Sequence, residues 1–364
     1  MSRSPLRVLL VALLVGALTG ATLGALAGQA SAEPAVTAGE KGRKVISRKV
    51  VFTLTNGNQS DTLCLSDGED HEVRGRLVGP RKEVLGRAGS TRINVLVHGA
   101  GTGGWLWNRT GPKRSDYAAR LAERGETSLV LDRLGYDASP LEDGRATCLG
   151  SQATMLHQVV QNLKAGIYEF DDDSGKDVPH AGQTVVHGHG LGAAIAQLEA
   201  SAFDDVDGLV LMSWSDTNAS QTAVAEVARQ TTTCLSSATY AAFGQTAQDF
   251  RSLLFSSAPG HVQRKAARKR NDVPCGDVTS VTSALGSLTL GTGSIEPPVL
   301  LLFGADDALN REGAAEAQAG RFRSSEGVTT KVFAGTGSAL PLEKKAPRVR
   351  TQVLRWLDAT LVER

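Results

Sequence analysis

The chain has 364 residues, 41% of them hydrophobic and 21% charged, with a formal charge of +1. That is enough apolar material for one large domain with an insertion, or for two small domains. The balanced charge excludes a general basic surface for nucleic acid or an anionic membrane, and the one locally basic run, RKAARKR (264–270), reads as a solvated helix face.

In chain order, Arg3 and Arg7 precede the apolar run VLLVALLVGAL, and Ala30-Ser31-Ala32 forms an A-x-A cleavage site. Residues 1–32 are therefore expected to be an export signal. Cleavage near Ala32 leaves a secreted or extracytoplasmic chain with no stable membrane insertion. The rival reading is an uncleaved anchor, since the apolar stretch reaches about twenty residues. Gly, Thr and Ala dilute its second half, and no cysteine near the cleavage site offers a lipid attachment point.

The mature part keeps four cysteines, Cys64, Cys148, Cys234 and Cys275. An even number in an exported chain points to two disulfides, with three pairings open. The expected pairing joins Cys234 locally to Cys275 and leaves Cys64 for Cys148. No C-x-x-C or zinc-finger spacing is present, so neither a metal nor a cofactor is expected.

VISRKVVFTLT (45–55) and HEVRGRLVG (71–79) read as strands joined by a polar loop. Strand and helix alternate from there. INVLVHG (93–99) precedes SDYAARLAERG, with Ser115 as the expected N-cap and Gly125 as the stop. SLVLDRLG (128–135) precedes QATMLHQVVQNLKAG, and TVVHG (184–188) precedes LGAAIAQLEAS. GLVLMSW (208–214) opens a long excursion with the helical patterns TAVAEVARQ and FGQTAQDFRSLLF, which PPVLLLFGADD (297–307) closes. TKVFAGTG (330–337) leads to a last helix, RVRTQVLRWLDATLVE.

Short apolar strands alternating with helices predict an α/β fold with a parallel sheet covered on both faces. Ligands of such sheets bind at the carboxyl ends of the strands. The excursion, 215–296, is expected to be a helical lid over that edge, between core segments 33–214 and 297–364.

HGAGTGGWLWN, LDRLGYDASP, the strand–GHGLG–helix turn, Asp307 after LLLFG and the terminal GTGSALPL follow one another in a telling order. In these features the chain resembles the α/β-hydrolase superfamily over residues 45 to 360. The resemblance implies an α/β-hydrolase fold, with a mostly parallel central sheet, helices on both faces and a helical lid insertion. It also implies a nucleophile elbow at VVHGHGLGAAIA, whose central serine works with a histidine base and an orienting aspartate. Here the centre of the elbow is Gly190, and Ser338 takes the place of the base, so the triad reads as degenerate. Asp307 matches the acid, with Asp306 beside it as the other register. The resemblance assigns the oxyanion hole to the backbone N–H groups of Ala100 and Leu191.

The remaining candidates carry two readings each. His98 and Gly99 begin the oxyanion loop, and His98 is expected to brace it. His189 is read first as an elbow residue that packs away from the pocket and second as a substitute base, and His187 as a hydrogen-bonded core residue. Trp105 and Trp107 either line the pocket or pack under the lid. Asp216, beyond Trp214, either lends the pocket a carboxylate or serves as a cap or lid hinge. The substrate-binding candidates are thus His98, Gly99, Trp105, His189 and Asp216.

Removing a serine hydrolase's triad costs on the order of 10⁶ in kcat, so ordinary ester hydrolysis is not expected. The first expectation is a non-hydrolytic lyase, cyclase or isomerase acting on a small hydrophobic carbonyl-containing molecule, such as a natural-product intermediate. It would use the oxyanion hole and Asp307 as base, a role that requires burial to lift the aspartate from a pKa of ~3.9. The second is a catalytically inactive binding module. The third is an esterase with a relocated nucleophile.

Overall fold

The computed structural model describes residues 44–88, 91–108, 115–172 and 177–361, and the expected export signal, 1–32, lies outside them. Strands β1 (Val45–Thr55) and β2 (Asp70–Pro80) form an antiparallel pair with Val45 opposite Pro80 and Thr55 opposite Asp70. After the single turn α1 (Arg81–Val84) come β3 (Thr91–Val97), α2 (Tyr117–Ala122), β4 (Thr127–Leu131), α3 (Leu149–Ala165) and β5 (Glu169–Phe170). The elements β6 (Ala181–His189), α4 (Leu191–Phe203) and β7 (Gly208–Met212) follow.

The excursion holds α5 (Gln221–Cys234), β8 (Tyr240–Ala242), α6 (Ala247–Leu254), α7 (Gly260–Arg268), β9 (Asp272–Pro274), α8 (Cys275–Thr279) and α9 (Val281–Gly291). The chain ends with β10 (Val299–Gly304), α10 (Ala314–Ala319), β11 (Val328–Phe333) and α11 (Ala346–Thr360). Among the described residues no helix is long and apolar enough to cross a membrane.

Nine strands form one sheet in the order β11-β10-β7-β6-β3-β4-β2-β1-β5, and β8 pairs with β9 separately. The pairings from β11 through to β4 are parallel, whereas β2 joins β4, and β1 joins β2 and β5, antiparallel. Burial explains the division. Strands β4, β7 and β10 are buried at every position, as strands covered on both faces must be. Edge strand β11 exposes several of its residues.

Alternate residues serve opposite faces of the pleat. Val95, Leu129, Leu209 and Leu301 pack with Val159 of α3 and Ile195 of α4. Leu96, Val130, Val210 and Leu300 pack with Tyr117 of α2 and with Val353 and Trp356 of α11. Each fully buried side chain of this kind stabilises the fold by about 1.5–3 kcal/mol before entropy is counted.

Local chemistry sets the ends of the helices. Asp116, and not the expected Ser115, caps α2 by accepting from Ala119 N at 3.1 Å, because Asp116 is the extended residue directly before the first helical one. Gly166 ends α3 with φ +68°, where a side chain would be strained. Disulfides join Cys64 to Cys148 and Cys234 to Cys275. Residues of α5, α6, β9 and α8, termed the roof, line a cavity together with Gly99, Gly190 and Ser213 at the carboxyl ends of the strands, whereas Ala284 and Leu288 of α9 join the core beside α3 and α4.

Candidate functional site

The site is built on the turn from β6 into α4. Gly190 stands between them with φ +51° and ψ −123°, a conformation glycine adopts without the strain a side chain would add. Its N–H donates to Met212 O at 2.9 Å, and its carbonyl accepts from Ala193 N at 2.8 Å. A Cβ on Gly190 would meet no atom within 4 Å, so this position faces open space. The flanking glycines differ. A Cβ on Gly188 would lie 2.4 Å from Ala193 Cα, and one on Gly192 2.4 Å from Val97 O. These two let α4 start tight against the strands, whereas Gly190 leaves room for something else.

That room is part of a cavity of about 260 Å³ between the sheet edge and the roof. Gly99, Ala100, His189, Gly190, Leu191 and Ser213 form its floor, and Ala223, Val224 and Val227 of α5 with Val281 and Leu285 of α9 form apolar walls. The N–H groups of Ala100 and Leu191 make no backbone hydrogen bond among the described residues. Leu191 opens α4, so its N–H has no partner within the helix and carries the positive end of the helix dipole. A Cβ on Gly99 would lie 3.4 Å from Leu191 N, which shows how closely the loop and the helix start approach.

Behind the floor lies a polar network. Ser338 is fully buried, and its backbone carbonyl accepts from His189 Nε2 at 3.1 Å and from Ser213 Oγ at 2.9 Å. Burial lowers the His189 pKa to about 4, against the pull of its bond to Ser338, so the ring is neutral at ordinary pH. Ser213 holds φ +55°, a strained value for a residue with a side chain.

Asp307 accepts from Leu309 N and from Asn310 Nδ2, each at 2.9 Å. Burial raises its pKa to about 6, and the hydrogen bonds from Leu309, Asn310 and Ser213 partly offset the rise. Asn310 Nδ2 also donates to Ser213 O at 3.1 Å. Leu309, Asn310 and Ser213 line the cavity, and Asp307, though not itself on the lining, is joined to it through its hydrogen bonds with Leu309 and Asn310. Asp306 is exposed and accepts from Ser256 Oγ at 2.8 Å, so Asp307 is the aspartate that joins the buried network.

The other candidates separate. Gly99 and His189 lie on the cavity floor, but His98 and Trp105 do not. His98 donates from Nδ1 to Gly99 O at 3.0 Å and accepts Arg133 N at 3.2 Å, which makes it a brace for the loop. Trp105 is buried in the cluster that holds both sheet residues such as Val130 and excursion residues such as Phe243 and Leu254, which accords with the second of its two readings, packing under the lid. Trp107 is fully buried and packs edge-on to His189 at 6.5 Å. His187 bonds Tyr117 OH and Asn94 Oδ1, both at 3.0 Å.

Asp216 reaches the cavity wall, yet its carboxylate accepts from Trp214 Nε1 at 2.9 Å, Thr292 Oγ1 at 3.0 Å and Gln318 Nε2 at 3.1 Å. It thus ties the roof's return segment to the sheet edge. Glu226 and Gln230 of α5 also line the cavity, and sequence reasoning passed them over. Their signal is the spacing of Ala223, Glu226, Val227 and Gln230, which places all four on one helical face.

The sequence profile of the alpha/beta hydrolase family matches residues 95–350. Among solved structures, a thermophilic esterase from Thermogutta terrifontis is 20% identical with a TM-score of 0.58, over 83% of this chain and 98% of that one. A monoacylglycerol lipase from Paleococcus ferrophilus is 17% identical with a TM-score of 0.56, over 74% and 95%. An E-2-(acetamidomethylene)succinate hydrolase is 15% identical with a TM-score of 0.52, over 87% and 100%. No curated protein matches the chain. At these identities the structural likeness speaks to fold alone. The profile spans most of the chain, and with the sheet order and the elbow it shows that the chain belongs to the alpha/beta hydrolase family.

Proposed function

We propose that the protein holds a small hydrophobic carbonyl-bearing molecule in the roofed cavity and does not hydrolyse it through an acyl-enzyme. One observation carries this reading: the open space over Gly190 lies in an apolar cavity beside two N–H groups, of Ala100 and Leu191, with no backbone partner. The family's nucleophile and base positions hold Gly190 and Ser338, a degenerate triad. Gly190 offers no attacking atom. Ser338 offers no basicity near neutral pH, and its carbonyl already occupies His189. A carbonyl oxygen set between the two N–H groups gains directed hydrogen bonds in a low-dielectric site, while the aliphatic remainder is buried against α5 and α9. The two disulfides fit an exported chain working in an oxidising compartment.

A second reading, non-hydrolytic carbonyl chemistry by a lyase, cyclase or isomerase, draws support from Asp307. Its pKa of about 6 suits proton transfer near neutrality, and it lies one hydrogen bond behind cavity-lining Asn310.

The two readings part in one experiment. The purified protein is titrated with 2-decanone and, separately, with decane, and the fluorescence of cavity-lining Trp214 is followed; wild type and Asp307→Asn are also incubated with an extract of the source culture for mass spectrometry. Saturable ketone binding with no response to decane, and the same unaltered compounds retained by both proteins, supports the holding role. Conversion by wild type alone supports the enzyme. Labelling of the wild type by a fluorophosphonate would overturn both and restore the esterase with a relocated nucleophile.

A further inference from the structure

The helix pair α3 and α4 carries a second polar cluster, on elements that meet away from the cavity. His157 of α3, Glu199 of α4 and Asp205, just beyond α4, offer one imidazole nitrogen and two carboxylates whose ligand atoms lie within 4.8 Å of one another. His157 Nδ1 is 2.8 Å from Asp205 Oδ2. The imidazole stacks on Phe203 at 4.0 Å, which fixes its orientation. Gln161 donates to the Asp205 carboxylate and Lys164 to the Asp205 backbone carbonyl.

Glu199 is the unusual member. It is fully buried, yet among the described residues no N–H or hydroxyl donates to either of its oxygens, and the one side chain it meets at hydrogen-bonding range is the Asp205 carboxylate. An unpaired carboxylate in such a place costs several kcal/mol unless something compensates it. The nearest groups sharpen the difficulty, because Asp205 presents a second carboxylate to it. Burial first, then Asp205, raise the Glu199 pKa well above the usual carboxylate range, against a weaker opposing pull from Lys164. The compensation is therefore either a shared proton or a cation.

We propose that His157, Glu199 and Asp205 form a structural site for a divalent transition-metal cation that joins α3 to the C-terminal end of α4. One nitrogen and two carboxylate oxygens suit Zn²⁺ or Mn²⁺ better than Ca²⁺, which prefers oxygen alone. Two carboxylates and a neutral imidazole balance the charge of the ion. The His157 and Asp205 side chains are 24% and 12% exposed, so the ion has a route in from solvent on the side away from Glu199. Gln161 supplies the outer hydrogen bond that orients a metal-binding carboxylate. Glu199 stands about 12 Å along α4 from Leu191 at 1.5 Å per residue, so the ion holds the helix and takes no part at the cavity. No short sequence spacing announces the site, because its ligands come from two helices and the turn after the second.

The test uses the full chain, stripped with a chelator and dialysed, then titrated with ZnCl₂ by calorimetry while thermal melting is recorded with and without the ion. Expected are one equivalent of saturable binding in the micromolar range or tighter and a rise in Tm of several degrees. Glu199→Gln and His157→Gln should each weaken binding at least tenfold and lose the rise, while melting cooperatively. Absence of stoichiometric binding, or unchanged zinc affinity in both variants, overturns the proposal. So does a Glu199→Gln variant that melts higher than wild type while zinc shifts neither protein, since a shared proton then accounts for the pair.

Discussion

His189 donates from Nε2 to the backbone carbonyl of Ser338 at 3.1 Å, joining the last residue of β6 to the loop after β11. The bond commits the one imidazole on the cavity floor among the described residues to a structural partner, on a ring that burial keeps neutral. Its folded pKa of about 4 lies below the ordinary 6.5, so the unfolded chain takes up this proton first. The stability gained by keeping the ring neutral is complete above pH 6.5 and is lost as pH falls toward 4. It amounts to on the order of 3 kcal/mol. Buried His187, at about 3, acts in the same direction, and Asp307, raised to about 6, in the opposite one. The stability advantage of wild type over His189→Gln should shrink by that amount between pH 6.5 and 4 in denaturant melts. Parallel curves would mean that the ring is not buried as described.

The three glycines of the elbow should respond differently to alanine. At Gly190 the added methyl meets open space, so the cost is backbone strain alone, about 1–3 kcal/mol. At Gly188 and Gly192 the methyl would press to within 2.4 Å of backbone atoms that cannot yield, and the loss should be larger or prevent folding. Chemical denaturation of the three variants checks the order. An equal loss at all three positions would contradict an open space above Gly190.

Leu191 allows a donor to be removed without breaking its helix. It is the first residue of α4, where proline is tolerated because that N–H has no helical partner. Leu191→Pro should leave far-UV circular dichroism unchanged and weaken binding of 2-decanone about tenfold, or about 1.4 kcal/mol. Part of any loss comes from the altered side chain, so Leu191→Ala serves as the control. Equal losses in the two variants would exclude the N–H as a ligand donor.

Arg133 and Asp277 form an ion pair at 2.9 Å with side chains 2% and 0% exposed, linking the exit of β4 to α8 in the roof. Removing one partner strands a charge in a low dielectric. Asp277→Ala should cost about 3–5 kcal/mol, read from urea midpoints. A loss below 1 kcal/mol would show that solvent reaches Arg133 once the carboxylate is gone.

The sheet was legible in the sequence because its central strands are short apolar runs, and such runs have few alternatives to burial on both faces. The elbow was legible for a similar reason: Gly188, Gly190 and Gly192 serve a sharp turn that local spacing encodes. What escaped depends on groups far apart in the chain. Asp307 could be placed on its loop, but the bonds that join it to cavity-lining Asn310, and Asn310 to Ser213 just after β7, could not. Trp105 next to GTGG reads equally well as wall or core, and only packing against Val130 and its neighbours decides the choice. The cap of α2 moved by one residue, a shift that propensity alone rarely resolves.

The two disulfides have a joint consequence for how anything enters the cavity. Cys64–Cys148 ties the loop after β1 to the start of α3, and Cys234–Cys275 ties α5 to α8 within the roof. No cross-link spans the line where roof meets body. That line is held by packing and by latches such as Arg133–Asp277, so it is a seam whose opening would have to break those contacts while each disulfide keeps its own side linked. Guests should therefore exchange through a breathing seam between two stiffened shells, and their rate of escape should follow the strength of the latch more closely than the global stability of the fold.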